Sequence, residues 1–157
     1  MKNFKILSTI KFLFTLVLLI SITVACSNST SGNEEEHSEP EGFVLKMNGQ
    51  IIVEQLPDQS VTGEFQLTAG QETDLVTIFF LDHDGNEFQP EEAENSLGHE
   101  FDTQGIANFE QHTEDGKWSF HIHAEAEGTT NLRLKLMHSG HSDFTTQYFP
   151  INVAAAQ

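Results

Sequence analysis

The sequence predicts an all-β sandwich of seven to eight short strands, carried behind a leader and an acidic tether. From Gly42 onward apolar residues alternate with polar ones at period two. Turn-forming residues interrupt that alternation at short intervals, and only residues 90–95 show a helical pattern. Residues 1–11 carry Lys2, Lys5 and Lys11 and no acid, and residues 12–22 (FLFTLVLLISI) are apolar. With Ala25 before Cys26, this reads as a secretory signal over residues 1–25. The apolar run is well short of the ~20 residues a spanning helix needs. Residues 26–41 are rich in Ser, Asn, Gly and Glu and lack large apolar groups, so they read as a flexible acidic tether. Its end-to-end distance is on the order of 20 Å.

The sandwich is expected over residues 42–154. Asn48-Gly49 between FVLKM and QIIVE is a strong two-residue hairpin signal. Residues 61–68 and 75–81 alternate, the latter ending in the turn Asp82-His83-Asp84-Gly85. Residues 106–109, 118–124, 132–136 and 148–153 complete the set.

Composition narrows the function. Of 157 residues, 24 are acidic and 7 basic, a net charge of −17, and the predicted mature chain keeps only Lys46, Lys117, Arg133 and Lys135. Such a field repels nucleic acid, which is excluded as a partner, and attracts cations. The single cysteine excludes an internal disulfide framework and a Cys-rich zinc site.

Three resemblances follow from these segments. Thr23-Val24-Ala25-Cys26 resembles the lipobox of bacterial lipoproteins, with Thr23 where that motif usually carries Leu. It implies acylation of Cys26, anchoring to a membrane through the lipidated N-terminus, and a place in the cell envelope. Ser27 after the cysteine resembles signals that permit transfer to an outer membrane. The succession LTAGQETDL, DHDGNEF, GIANFE, EDGKWSF, AEAEGTTNLRLKL and FPINV, over residues 61–153, resembles the bacterial immunoglobulin-like domain of group 2. That resemblance implies an Ig-like sandwich and is compatible with an adhesion role. His99 stands where that family often buries a tryptophan. FHIHAEAEG is similar to the copper-binding strand of copper–zinc superoxide dismutases, which implies His121 and His123 as copper ligands. The long histidine-bearing zinc loop, the cysteine pair and the matching C-terminal arginine of those enzymes are missing here.

Seven histidines lie in the predicted domain, and two pairs have chelating spacing. In Phe120-His121-Ile122-His123 both imidazoles point to one strand face, about 6.6 Å apart along the backbone. His138-Ser139-Gly140-His141, with Asp143 after it, forms a tight turn that can face two imidazoles to one point. Under Ig order, the turns around His83, residues 112–116 and residues 138–143 share one end of the sandwich, which makes His83, His112, His138 and His141 neighbours, with Asp82, Asp84, Glu114 and Asp115 nearby. The expected ligands are therefore His121, His123, His138 and His141 around one ion, then His112 and Asp143, with His99 packing or at the surface. Imidazole with carboxylate support suits zinc first, and also copper or nickel.

The expected function is metal capture, buffering or hand-over to an envelope metal transporter. The alternative is a metal-free envelope adhesion or interaction module, and a dismutase-like enzyme is a distant third. No catalytic residues are assigned: a nucleophile elbow, a Cys–His pair and a phosphate-cradling loop are all missing. Asp82-His83-Asp84-Gly85 partly resembles a calcium loop but lacks the EF-hand pattern, and a polar turn is the simpler reading.

Overall fold

Asn48 and Gly49 both take positive φ, 53° and 77°, and their turn joins β1 (Gly42–Met47) to β2 (Gln50–Gln55) with Met47 opposite Gln50. The computed structural model describes residues 39–157, so the leader, Cys26 and the tether to residue 38 lie outside the described residues. The chain continues through β3 (Val61–Gly63), β4 (Phe65–Thr68), β5 (Val76–Leu81), β6 (Glu87–Phe88) and β7 (Asn95–Phe101). Then come β8 (Ala107–Glu110), a single 3-10 turn at Thr113–Asp115, β9 (Ser119–Ala124), β10 (Gly128–His138), β11 (His141–Thr145) and β12 (Phe149–Ala154). The all-β prediction holds, with twelve strands among the described residues instead of seven or eight.

Two sheets pack face to face. One runs β3-β2-β1-β5-β9-β8 with β6 also on β5, and the other runs β11-β10-β12-β4 with β7 also on β10. Their inner faces meet in a single core. Phe43, Leu45, Ile78, Phe80, Phe120 and Ile122 come from the first sheet, Leu132, Leu134, Phe149 and Ile151 from the second, all fully buried. Phe43 and Phe149 touch across the gap with ring centroids 5.7 Å apart. Burial of this apolar surface is the main force holding the sheets together.

The extra strands appear where sequence pattern is blind to pairing. The alternating run 61–68 is two strands on different sheets: β3 lies on β2, and β4 runs parallel to β12. The crossing uses Gly63, whose φ is +89°, and a Cβ there would sit 2.0 Å from the Ile52 carbonyl oxygen. Period two continues through such a crossing, so alternation alone cannot reveal it.

Residues 90–95 form no helix, which corrects the helical reading. They run without regular structure into a turn and then into β7, paired with β10 from Asn95↔His138 to Phe101↔Leu132. Tertiary ties override the weak local preference: Trp118 Nε1 donates to the Pro90 carbonyl at 3.2 Å and Lys117 Nζ to the Glu92 carbonyl at 2.7 Å. Leu97 and Phe101 bury on the core face.

β11 and β12 both pair with β10, and the interval between them is held by side chains. Buried Thr146 accepts the Leu134 N–H at 2.9 Å through Oγ1 and donates to the Gln147 carbonyl. The Gln147 N–H donates to Oε1 of buried Gln55 at 2.6 Å, which ties this segment to the first sheet. On the outer face of the second sheet Glu100 accepts from Lys135 (2.7 Å), Arg133 (2.6 Å) and Tyr148 (3.0 Å). These partners, Lys135 foremost, lower its carboxyl to about 2. Lys46 pairs with Glu87. The few cations are thus engaged locally, and most of the acidic field is left uncompensated.

Candidate metal-binding site

β9 carries the strand pair with the predicted parity. Phe120, Ile122 and Ala124 are fully buried, and His121 and His123 alternate with them on the outer face. Two neighbours flank this strand. β8 places Glu110 opposite His121 and Asn108 opposite His123. On the other side the Thr73 N–H donates to the Ile122 carbonyl at 3.0 Å, and Glu72 bridges to His123.

Buried Thr73 fixes the His121 ring. Its Oγ1 accepts the Ile122 N–H at 3.0 Å, and its carbonyl lies 2.9 Å from His121 Nδ1. A carbonyl only accepts, so Nδ1 bears the proton, and in the neutral ring Nε2 keeps its lone pair. Nε2 lies 3.6 Å from Asp115 Oδ2, and Glu72 Oε1 lies 3.5 Å from Nδ1. The His112 ring is 5.8 Å away, centroid to centroid.

The second pair sits at the tip of β10–β11. Ser139 and Gly140 have φ of 49° and 86°, the two-residue turn that matches strand twist, and Gly140 takes its position without a Cβ penalty. His138 and His141 are the pair that closes this turn, so their side chains share a face. Leu136 pairs with Phe144 and Met137 with Ser142, which leaves Asp143 as the extra residue of a bulge. Such bulges re-aim a side chain, and Asp143 Oδ2 lies 3.3 Å from His138 Nδ1. Both residues are about half exposed.

The two pairs do not meet. β9 belongs to one sheet and the β10–β11 tip to the other. Among the described residues no group of three or more His, Cys, Asp or Glu side chains is arranged as it stands to hold a metal ion. The expected four-histidine centre thus resolves into two local sets. The turns around His83 and residues 138–143 do lie toward one end: Phe144, near the tip, packs on Phe80, two residues before Asp82, at 6.1 Å. Shared placement of turns does not bring rings together. His83 instead faces Glu41 at 3.2 Å, and that carboxylate raises its imidazole above the ordinary value. Asp82 accepts from the Asp84 and Asn86 N–H groups at 2.9 and 2.8 Å, the polar turn that the sequence suggests.

His99, expected to pack or to lie at the surface, is exposed and packs through one ring face. It stacks on Phe109 at 4.2 Å, and Phe109 stacks on Phe120 at 4.7 Å. Desolvation, with a smaller effect of Lys135, lowers its imidazole below the ordinary value. The fold therefore favours the neutral ring. This contribution is complete above the ordinary imidazole range and is lost as pH falls toward the lowered value. Melting temperature is expected to drop between pH 7 and 5, above the carboxylate range, and to drop less in His99→Phe. Equal slopes for the two proteins, read by scanning calorimetry, would refute this role.

Asp115, expected near the His112 turn, does stand beside His121. Glu72 is the neighbour that sequence reasoning missed, because it reaches His121 only through long-range pairing.

No family model matches the chain, and no curated protein matches it. Among solved structures the chain is similar to domains 4 and 5 of the S-layer protein SbsC, at 18% identity and TM-score 0.42, over 60% of this chain and 49% of that one. It is similar also to domains 5–6 of that protein (18%, TM-score 0.43, 61% and 42%) and to domains 1–6 (14%, TM-score 0.43, 78% and 21%). The chain spans about half or less of these structures. A likeness this distant carries no functional conclusion.

Proposed function

We propose that this protein is a lipid-anchored envelope β-sandwich that captures a divalent transition ion, zinc first with copper or nickel as alternatives, for buffering or hand-over to an envelope transporter. The supporting observation is the β10–β11 tip, where the turn sets His138 opposite His141 and the bulge brings Asp143 to 3.3 Å from His138 Nδ1. That separation is at the long edge of hydrogen bonding. It equals the spacing of two ligands on a tetrahedral ion, about 3.3 Å for metal–ligand bonds of ~2.0 Å. Exposed side chains at a loop tip can rotate to close on an ion, and three donors leave a fourth position open for exchange. The surrounding acidic field raises local cation concentration. The leader and Cys26 support the anchoring part of this reading.

Calorimetric titration of zinc into the full-length protein in detergent tests it. Binding at micromolar affinity or tighter is expected, with one zinc per chain lost in His138→Ala/His141→Ala. Zinc uptake unchanged in that variant would defeat the assignment of the tip. No uptake of zinc, copper or nickel by the parent would defeat metal capture altogether and favour the metal-free interaction module.

A further inference from the structure

The β8–β9 edge holds a second donor set, distinct from the tip. Glu110 lies opposite His121, so the strand pleat directs His112, two residues beyond Glu110, toward the same outer face. The 3-10 turn follows directly, and the Asp115 N–H donates to the His112 carbonyl at 3.1 Å. Side chains at i and i+3 of such a turn eclipse one another, which sets Asp115 beside His112. One strand and one turn thus bring His121 Nε2 to 3.6 Å from Asp115 Oδ2, with the His112 ring 5.8 Å from that of His121.

The separation is that of an ion pair or of two ligands on one ion, not of a hydrogen bond. An N–H···O bond spans about 2.7–3.2 Å, and 3.6 Å exceeds it. Two ligands on one tetrahedral ion stand about 3.3–3.4 Å apart, given bonds of ~2.0–2.1 Å. Closing the remaining gap takes a few tenths of an ångström at side chains that are only 17% and 26% exposed. The ring is also oriented as ligating histidines usually are: its far N–H is donated to a backbone carbonyl, and a carboxylate stands beside it. Here these are the Thr73 carbonyl at 2.9 Å and Glu72 at 3.5 Å. The lone pair of Nε2 is left facing Asp115.

We infer that His112, His121 and Asp115 form a second transition-ion site, with Thr73 and Glu72 positioning the His121 ring. It takes the same class of ion as the tip but shares no residue with it, so either site can fail alone. Its donors come from β8's end, the turn and β9, so an ion there pins the turn to the strand, whereas the tip is open to exchange.

Zinc is titrated into the full-length protein, into His138→Ala/His141→Ala, and into that double variant carrying His112→Ala, Asp115→Asn or Glu72→Gln. The double variant is expected to keep one zinc per chain. His112→Ala or Asp115→Asn should weaken that ion at least tenfold, and Glu72→Gln about 10–100-fold. His112 is exposed and Asp115→Asn keeps the side-chain shape, so metal-free melting temperatures should match the parent's. A double variant that binds no zinc overturns this site while leaving the tip standing. Zinc that persists unchanged after His112→Ala and Asp115→Asn overturns it too. One ion in the parent, indifferent to the tip substitutions and lost with His112, would support this site and defeat the tip.

Discussion

Truncation of Phe120 to alanine is expected to destabilise the domain by about 3–5 kcal/mol, the range for removing a buried aromatic ring. Phe120 is fully buried on β9. It is also the base of a column in which Phe109 of β8 stacks on it at 4.7 Å and His99 of β7 stacks on Phe109 at 4.2 Å. The column joins the edge of the first sheet to the second, so the cavity opens where the sheets close and can relax only by moving a strand. Total stabilities of domains this size are about 5–15 kcal/mol, which makes the loss at least about a fifth of the whole. Urea unfolding measures it as a lower midpoint at constant slope. Ile51→Ala is the control: that side chain is 52% exposed, and a change within about 0.5 kcal/mol is expected. Comparable losses at both positions would mean that the column is not what closes the sandwich.

The same strand shows how far the sequence could be read. Parity along residues 119–124 needs only the pleat, so the inward Phe120 and Ile122 and the outward His121 and His123 were legible. The turns at Asn48-Gly49 and Ser139-Gly140 were legible because a tight two-residue turn takes positive φ at both positions and each ends in Gly. Pairing was not. In residues 61–68 Gly63 marks a break, but nothing local says that the chain changes sheets there. The acidic run before β7 reads as helix until Trp118 and Lys117 hold its carbonyls.

The candidate site follows the same division. His138 and His141 were placed together because two residues of turn separate them. The larger expectation, that the tip would reach β9, assumed that turns at one end bring their side chains to one point. β9 enters its sheet level with Val76 and Thr77 and runs away from that end, which carries His121 away from the tip. Asp115 and His112 reach His121 from the preceding turn, but Thr73 comes to it through pairings 48 and 49 residues apart in sequence, a separation at which pattern carries no information.

Zinc is expected to raise the melting temperature by about 10 °C for each occupied site at a hundredfold excess over its dissociation constant. Binding to the native state alone adds RT ln(1 + [L]/Kd), about 2.7 kcal/mol per site at that ratio. For a domain near this size 1 kcal/mol corresponds to about 4 °C. Histidines of the unfolded chain also take zinc, which lowers the gain, so the observed rise is bounded from above. A net charge of −17 concentrates any divalent cation at the surface, and magnesium separates that effect from coordination. Magnesium prefers oxygen ligands in octahedral geometry and gives up its water reluctantly, so an imidazole–carboxylate tip should ignore it while the acidic field does not. The expected pattern is a shift with zinc, little or none with magnesium at equal ionic strength, and loss of the tip's share in His138→Ala/His141→Ala. Equal shifts with the two ions, unchanged in that variant, would assign the effect to diffuse charge and leave the imidazoles without a ligand.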